Sequence, residues 1–137
     1  MMDAKGFWIM LVSMVFAGLL SSMNVWADSW SDIRWHLNDM YMIGLMTGWM
    51  FAFMGLFYWH IGYVVFGLLL ASICLYMIRN QVAITEIEYL RGMIPHHSMA
   101  VMMSKRLSEK PNTIQSFVNQ IIKTQEMEIR MMKEYLK

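Results

Sequence analysis

The chain has 137 residues, of which 58% are hydrophobic, and its formal net charge at neutral pH is +1. This composition is too apolar for an ordinary soluble domain, and the small charge gives no field that would favour nucleic acid. The single cysteine, Cys74, excludes an intrachain disulfide. We therefore expect a membrane protein without a nucleic-acid partner.

The first half of the chain contains three apolar runs, over about residues 7–27, 40–59 and 61–78. The second and third runs carry no charged side chain. Each run is long enough to cross a hydrocarbon core of about 30 Å as a helix. We therefore predict a transmembrane region over residues 1–80, with the lipid bilayer as its partner.

The first run has two interpretations. Lys5, an apolar core and the peptide Val25-Trp26-Ala27 resemble a signal peptide with its cleavage site. The bulky Trp residues and the length of the run favour a retained anchor. If the first run is a retained anchor, the chain has three spans that start in the cytoplasm. If the first run is cleaved, the chain has two spans that start outside. The last span ends outside in both cases, so both interpretations put the second half on the non-cytoplasmic side. We expect a bacterial inner-membrane protein whose C-terminal domain faces the periplasm.

From Thr85 onward the sequence predicts a hairpin of two amphipathic helices, over residues 85–137. The segment Thr85–Glu88 is typical of a helix start, with a hydroxyl followed by acidic residues. The first helix should run to about Leu107, and Pro95 should bend or locally unwind it. The second helix should run from about Thr113 to the end of the chain.

The segment Met93–Met103 carries the chemistry of a soft metal site. It holds two of the four histidines and four methionines, and imidazole nitrogen with thioether sulfur points to copper, chiefly Cu(I). At about 100° per residue, one arc of the first helix contains most of these groups. The arc comprises Met93, His96, His97, Ala100, Met103 and Leu107.

An antiparallel hairpin brings this arc opposite polar groups of the second helix. His96 and His97 come level with Gln125, and Met93 comes level with Glu128 to Met132. Buried polar groups need partners, so a shared polar or metal centre is an economical explanation. The alternative is an ordinary core of helix-spaced methionines around a hydrogen-bonded histidine.

The segments Met93–Ala100 and Gln125–Met132 resemble the two helices of the domain-of-unknown-function 305 family, over about Thr85–Leu136. The resemblance implies a ferritin-like helical bundle associated with periplasmic copper binding, and the apolar front half resembles a membrane-anchored subgroup. It implies ligands on both helices, namely Met93, His96, His97, Met99, Met103, Gln125 and Met132.

Taken together, these features predict an all-α protein in which transmembrane helices precede a ferritin-like two-helix hairpin. We expect Cu(I) at Met93, His96, His97 and Met132. Further thioether ligands are expected at Met99 and Met103, and Gln125 and Glu128 should fix a histidine tautomer by hydrogen bonding. The expected function is to sequester copper or to transfer it to other copper-handling proteins.

Enzymes of two classes are disfavoured. A di-iron carboxylate enzyme needs Glu three residues before His, and a zinc hydrolase needs His-Glu-x-x-His. The chain has neither motif, so we expect no enzymatic activity. The remaining rival is a membrane-anchored helical adaptor that binds another protein and no metal.

A homo-oligomer is expected because a hairpin of about fifty residues cannot close a good core alone. The simplest form is a dimer whose two hairpins make a four-helix bundle. The small residues Gly44, Gly48 and Gly55 could add contacts between spans of different copies.

The topology predicts the behaviour of reporters fused after Lys137. In a bacterial host, alkaline phosphatase should be active there and a cytoplasm-folding fluorescent protein should stay dark. The reciprocal pattern would place residues 85–137 in the cytoplasm and contradict the parity of the spans.

Overall fold

The computed structural model describes residues 4–137, and all of the regular structure in this range is helical. This confirms the predicted all-α class. Two short 3-10 turns, Met23–Trp26 and Trp30–Asp32, lie in the linker between the first two helices. The α-helices are α1 (Ala4–Leu20), α2 (Leu37–Phe57), α3 (Ile61–Arg79), α4 (Glu86–Ser108) and α5 (Gln115–Tyr135).

The chain forms two compact units. The first contains α1 and the segment Leu37–Ala83, which includes α2 and α3. The second contains Ile84–Lys137 together with the linker Met23–His36. The sequence predicted the helical hairpin, but it gave no signal that this linker packs with the hairpin.

Three helical segments are long and apolar enough to cross a membrane, namely Lys5–Trp26, Leu37–Phe57 and Ile61–Arg79. They match the predicted runs to within a few residues. Large apolar side chains point outward along them, as expected for helices that face hydrocarbon. Examples are Ile9, Val12, Phe53, Leu69 and Ile73.

Small residues bring α2 and α3 of the same chain into close contact. A Cβ atom on Gly48 would lie 2.6 Å from the backbone nitrogen of Ala71, and one on Gly44 would lie 2.5 Å from the Cys74 sulfur. Gly55 meets the backbone of Val64 in the same way. The expectation that these glycines join different copies is therefore wrong, because α3 already occupies their surface.

The second unit has a core formed between α4 and α5. Its buried members are Ile94, Val101, Ile129 and Met132, and Leu90, Met93 and Leu136 pack against them. As predicted, α4 begins after Thr85, whose side chain accepts a hydrogen bond from the Glu88 backbone N–H. It is helical through the buried Pro95, so the expected local unwinding does not occur. A proline removes one backbone hydrogen bond, and packing on both sides holds the helix here.

The linker is fastened to α4 through Ser98 and to α5 through Asp32. The fully buried Ser98 side chain accepts a hydrogen bond from the Asp28 backbone N–H at 2.8 Å and donates one to Asp32 Oδ2 at 2.6 Å. The other carboxylate oxygen of Asp32 pairs with Lys133 of α5. Ser98 and Asp32 thus connect α4, the linker and α5 in one polar chain.

A second ion-pair cluster involves Lys105 of α4. Its ammonium lies 2.7 Å from Asp28 Oδ2 and 3.0 Å from Glu126 Oε1. The hydrogen bond to Asp28 and then that to Glu126 raise the pKa of Lys105, so the ammonium stays charged at neutral pH. These groups are partly exposed, so the cluster orients the linker more than it stabilises the fold.

The glycine contact predicts that Gly48→Ala destabilises the α2–α3 hairpin by about 1–3 kcal/mol, because the added carbon forces the helix backbones apart. Unfolding of the full chain in detergent, followed by tryptophan fluorescence, measures the change. The matched control is Gly62→Ala, since a Cβ there meets only the His60 side chain, at 3.2 Å. Equal unfolding midpoints for the two variants would contradict the assignment.

The linker contacts predict that Ser98→Ala lowers the free energy of unfolding of the second unit by about 1–3 kcal/mol, because the partly buried Asp28 N–H and the buried Asp32 carboxylate oxygen lose a partner. Limited proteolysis should cut the linker faster in this variant. Ser116→Ala, at an exposed position on α5, is the control. Identical cleavage rates in the two variants would show that Ser98 does not hold the linker.

Candidate metal site

The face of α4 that enters the core differs from the predicted arc. The predicted arc centred near His96 and Ala100, whereas His96 is exposed and Met103 is 52% exposed. The difference is about one residue around the helix, or roughly 100°. Its cause is the linker, which covers the Ser98 side of α4. The buried members of α4 are Ile94, Pro95, His97, Ser98, Val101 and Ser104.

His97, rather than His96, is buried in the core. Its side chain is largely buried, its Nδ1 atom lies 2.8 Å from the Met93 carbonyl oxygen, and its Nε2 atom lies 2.8 Å from Glu128 Oε2. Because a carbonyl only accepts hydrogen bonds, Nδ1 carries a proton in this arrangement. Nε2 is therefore the nitrogen directed at α5. The tautomer is set by a backbone group, which residue types alone could not reveal.

The contact between His97 Nε2 and Glu128 Oε2 is an ion pair when the imidazole is protonated. A carboxylate also accepts rather than donates, so a hydrogen bond between these atoms needs a proton on one of them. A metal cation can take the place of such a proton, because metal binding and protonation compete for the same lone pair. The pair is thus a position where a cation could take the place of a proton.

Two thioethers flank this pair. Met93 precedes His97 by one helical turn and Met132 follows Glu128 by one turn, so each pair shares a helix face. Met132 is buried in the α4–α5 core, and Met93 packs against the same cluster. We call Met93, His97, Glu128 and Met132 the core quartet. It presents two sulfurs, one imidazole nitrogen and one carboxylate between two facing helices.

The register of the hairpin differs from the expected one by nearly a turn. His97 meets Glu128, whereas the sequence placed it level with Gln125. The turn between α4 and α5, over residues 109–114, sets this register, and its conformation depends on side-chain bonds of Asn112. Gln125 is half-buried.

The predicted ligands therefore fall into two groups. The core quartet contains Met93, His97 and Met132. His96, the half-buried Met99 and Met103 lie on the outer side of α4. The rings of His96 and His97 remain neighbours, with their centroids 5.9 Å apart.

Within residues 4–137, no three side chains drawn from His, Cys, Asp and Glu come together as a metal site. The core quartet offers two thioether sulfur atoms beside one imidazole and one carboxylate. Thioethers select Cu(I) over harder ions, whereas zinc usually recruits His, Cys or carboxylate. The residues present suit a soft monovalent ion.

Comparison with known proteins gives the family. The profile described as Domain of unknown function (DUF305) matches residues 76–136. An uncharacterized protein of Acanthamoeba polyphaga mimivirus is 42% identical over 135 residues, covering 93% of this chain and 89% of the relative. No solved structure matches the chain significantly. Because the viral relative is similar over both the apolar half and the hairpin, the two halves occur together in another protein. This chain belongs to the DUF305 family.

Proposed function

We propose that this protein is a membrane-anchored copper-binding protein that holds Cu(I) between α4 and α5. The ligands are His97 Nε2 and the sulfur atoms of Met93 and Met132. The observation that carries the proposal is the buried His97 directed at Glu128, with a thioether one turn away on each helix.

The role of Glu128 follows from charge. Cu(I) on His97 Nε2 would place a single positive charge beside the Glu128 carboxylate. One monovalent cation beside one carboxylate leaves no net charge at the site. A divalent ion would instead add a charge that the quartet does not neutralise. This balance favours Cu(I) over Zn(II) in the same position.

Sequestration or transfer of copper is the proposed task. His97 and Met132 of the core quartet are buried, which suits retention of an ion that reacts readily in water. His96 and Met103 are accessible on the outer side of α4 and could exchange copper with other copper-handling proteins. The proposed ligands bind copper without taking part in a reaction, and we propose a binding protein rather than an enzyme.

The proposed location is a membrane, with the copper-binding hairpin on the non-cytoplasmic side. The parity of the three apolar helices supports this location in any membrane that receives its proteins from the cytoplasm. In a bacterial inner membrane this side is the periplasm. Copper that arrives from outside would then meet the hairpin first.

Self-association is proposed from the outer face of α5. Phe117, Met127 and Met131 are between 48% and 59% exposed on this helix. Exposed apolar side chains on a small hairpin are best covered by a second hairpin, as in a four-helix bundle. We propose a homodimer in which the α5 helices contact each other. An adaptor without metal would use the same face for a different protein.

The proposal predicts the Cu(I) affinity of variants of the full chain in detergent. Met132→Leu should weaken Cu(I) binding at least about tenfold, since even groups outside the coordination sphere contribute that much. His97→Gln should weaken it further because it removes the only nitrogen ligand. Anaerobic titration against a coloured Cu(I) chelator measures both, and circular dichroism checks that helix content is unchanged.

Two controls match these variants. Met131→Leu alters the neighbouring methionine, which is 50% exposed, and His60→Gln alters a histidine in the other unit. Both should bind Cu(I) as the unaltered chain does. If the Met132 and Met131 variants bind with the same affinity, the core quartet is not the copper site, and a chain that binds no copper at all would fit the adaptor.

A further inference from the structure

A third histidine reaches α4 from the linker. A Cβ atom on Gly92 would lie 3.2 Å from both Cε1 and Nδ1 of His36. The His36 ring therefore packs against α4 at Gly92, where a side chain would have to displace it by a few tenths of an ångström. His36 lies outside residues 76–136, the range that matches the family.

Hydrogen bonds within the linker, and between the linker and α4, hold the His36 ring at this position. The side chain of Asn24 donates to the Arg34 carbonyl at 2.9 Å and accepts from the Arg34 N–H at 3.0 Å. This two-way bond fixes the backbone two residues before His36. The contacts of Ser98 with Asp28 and Asp32 fasten the same linker to α4. Four hydrogen bonds thus set the approach of His36.

The outer face of α4 places two more soft-metal ligands in line with Gly92. His96 follows Gly92 by one turn, and Met99 follows His96 by three residues, so the three positions share a face. Side chains on a helix lean toward its N-terminus. His96 therefore leans toward the turn that carries the His36 ring, and Met99 leans toward His96. His96 is exposed and Met99 is half-buried.

We propose that His36, His96 and Met99 form a second Cu(I) site on the outer face of α4. Two imidazoles and one thioether are a soft donor set for Cu(I). The accessible His96 ring makes this site the entry point for the ion. The neighbouring His97 ring, with its centroid 5.9 Å from that of His96, leads to the core quartet. The outer site shares no ligand with the core quartet, so each can bind copper without the other.

The test is the number of Cu(I) ions bound by the full chain in detergent, measured anaerobically against a coloured Cu(I) chelator. The unaltered chain should bind two ions. His36→Gln and His96→Gln should each leave one ion, and Met99→Leu should weaken one of the two sites about tenfold. His60→Gln is the control and should still bind two ions.

Gly92→Ala tests the geometry without removing a ligand. The added methyl group would lie 3.2 Å from the His36 ring and push it away by a few tenths of an ångström. We expect weaker binding at the outer site alone, because ligand placement sets metal affinity. X-ray absorption of copper in His97→Gln, where only the outer site remains, should show nitrogen and sulfur scatterers together.

The results separate the two sites. If His36→Gln retains two ions with unchanged affinities, the outer site is refuted. If the unaltered chain binds a single ion that is lost in His97→Gln and kept in His36→Gln, the outer site is refuted and the core quartet stands. If one ion is lost in His36→Gln and nothing changes in His97→Gln or Met132→Leu, the outer site stands and the core quartet fails.

Discussion

The contact between His97 and Glu128 is the constraint on which the second unit of this protein depends. An imidazole in an apolar core needs a partner for each nitrogen, because an unpaired buried polar group costs about 1–3 kcal/mol. The Met93 carbonyl and the Glu128 carboxylate provide these partners. The turn over residues 109–114 sets the register of α4 against α5. The His97–Glu128 contact fits that register, which also brings Met93 and Met132 into one core.

The linker adds a second level of organisation to the same unit. It connects two apolar helices in sequence, yet it packs with the hairpin. Ser98, at the centre of α4, makes this possible because its hydroxyl both accepts from and donates to the linker. The result is a three-part unit in which the linker covers one side of α4 and delivers His36 to another. A hairpin too small to close its own core gains a third layer in this way.

Much of the architecture could be predicted from the sequence, because long apolar runs and helical periodicity are local signals. The start of α4 at Thr85 and the pairing of α4 with α5 belong to this class. The rotation of α4 could not be predicted, since it depends on the docking of the linker, and the linker has neither periodicity nor a recognised motif. The hairpin register also escaped prediction, because it depends on the conformation of the turn around Asn112.

The copper chemistry of the candidate site stays a prediction, and its geometry was only partly predictable. The density of His and Met around Pro95 indicated copper, but residue types alone did not separate His97, which is buried, from His96, which is exposed. Residue types alone also did not indicate that His36 packs against Gly92, which lies 56 positions later in the chain. Such a contact involves the glycine as well as the histidine, and neither residue is a signal of metal binding by itself.

The most direct test of the central claim is X-ray absorption of Cu(I) bound to the full-length His36→Gln variant, in which only the core quartet should be loaded. We expect two sulfur scatterers and one imidazole nitrogen around each copper. The sulfur signal should be reduced when Met132→Leu is combined with His36→Gln. A spectrum with nitrogen and oxygen scatterers alone, unchanged by Met132→Leu, would show that copper does not bind between α4 and α5.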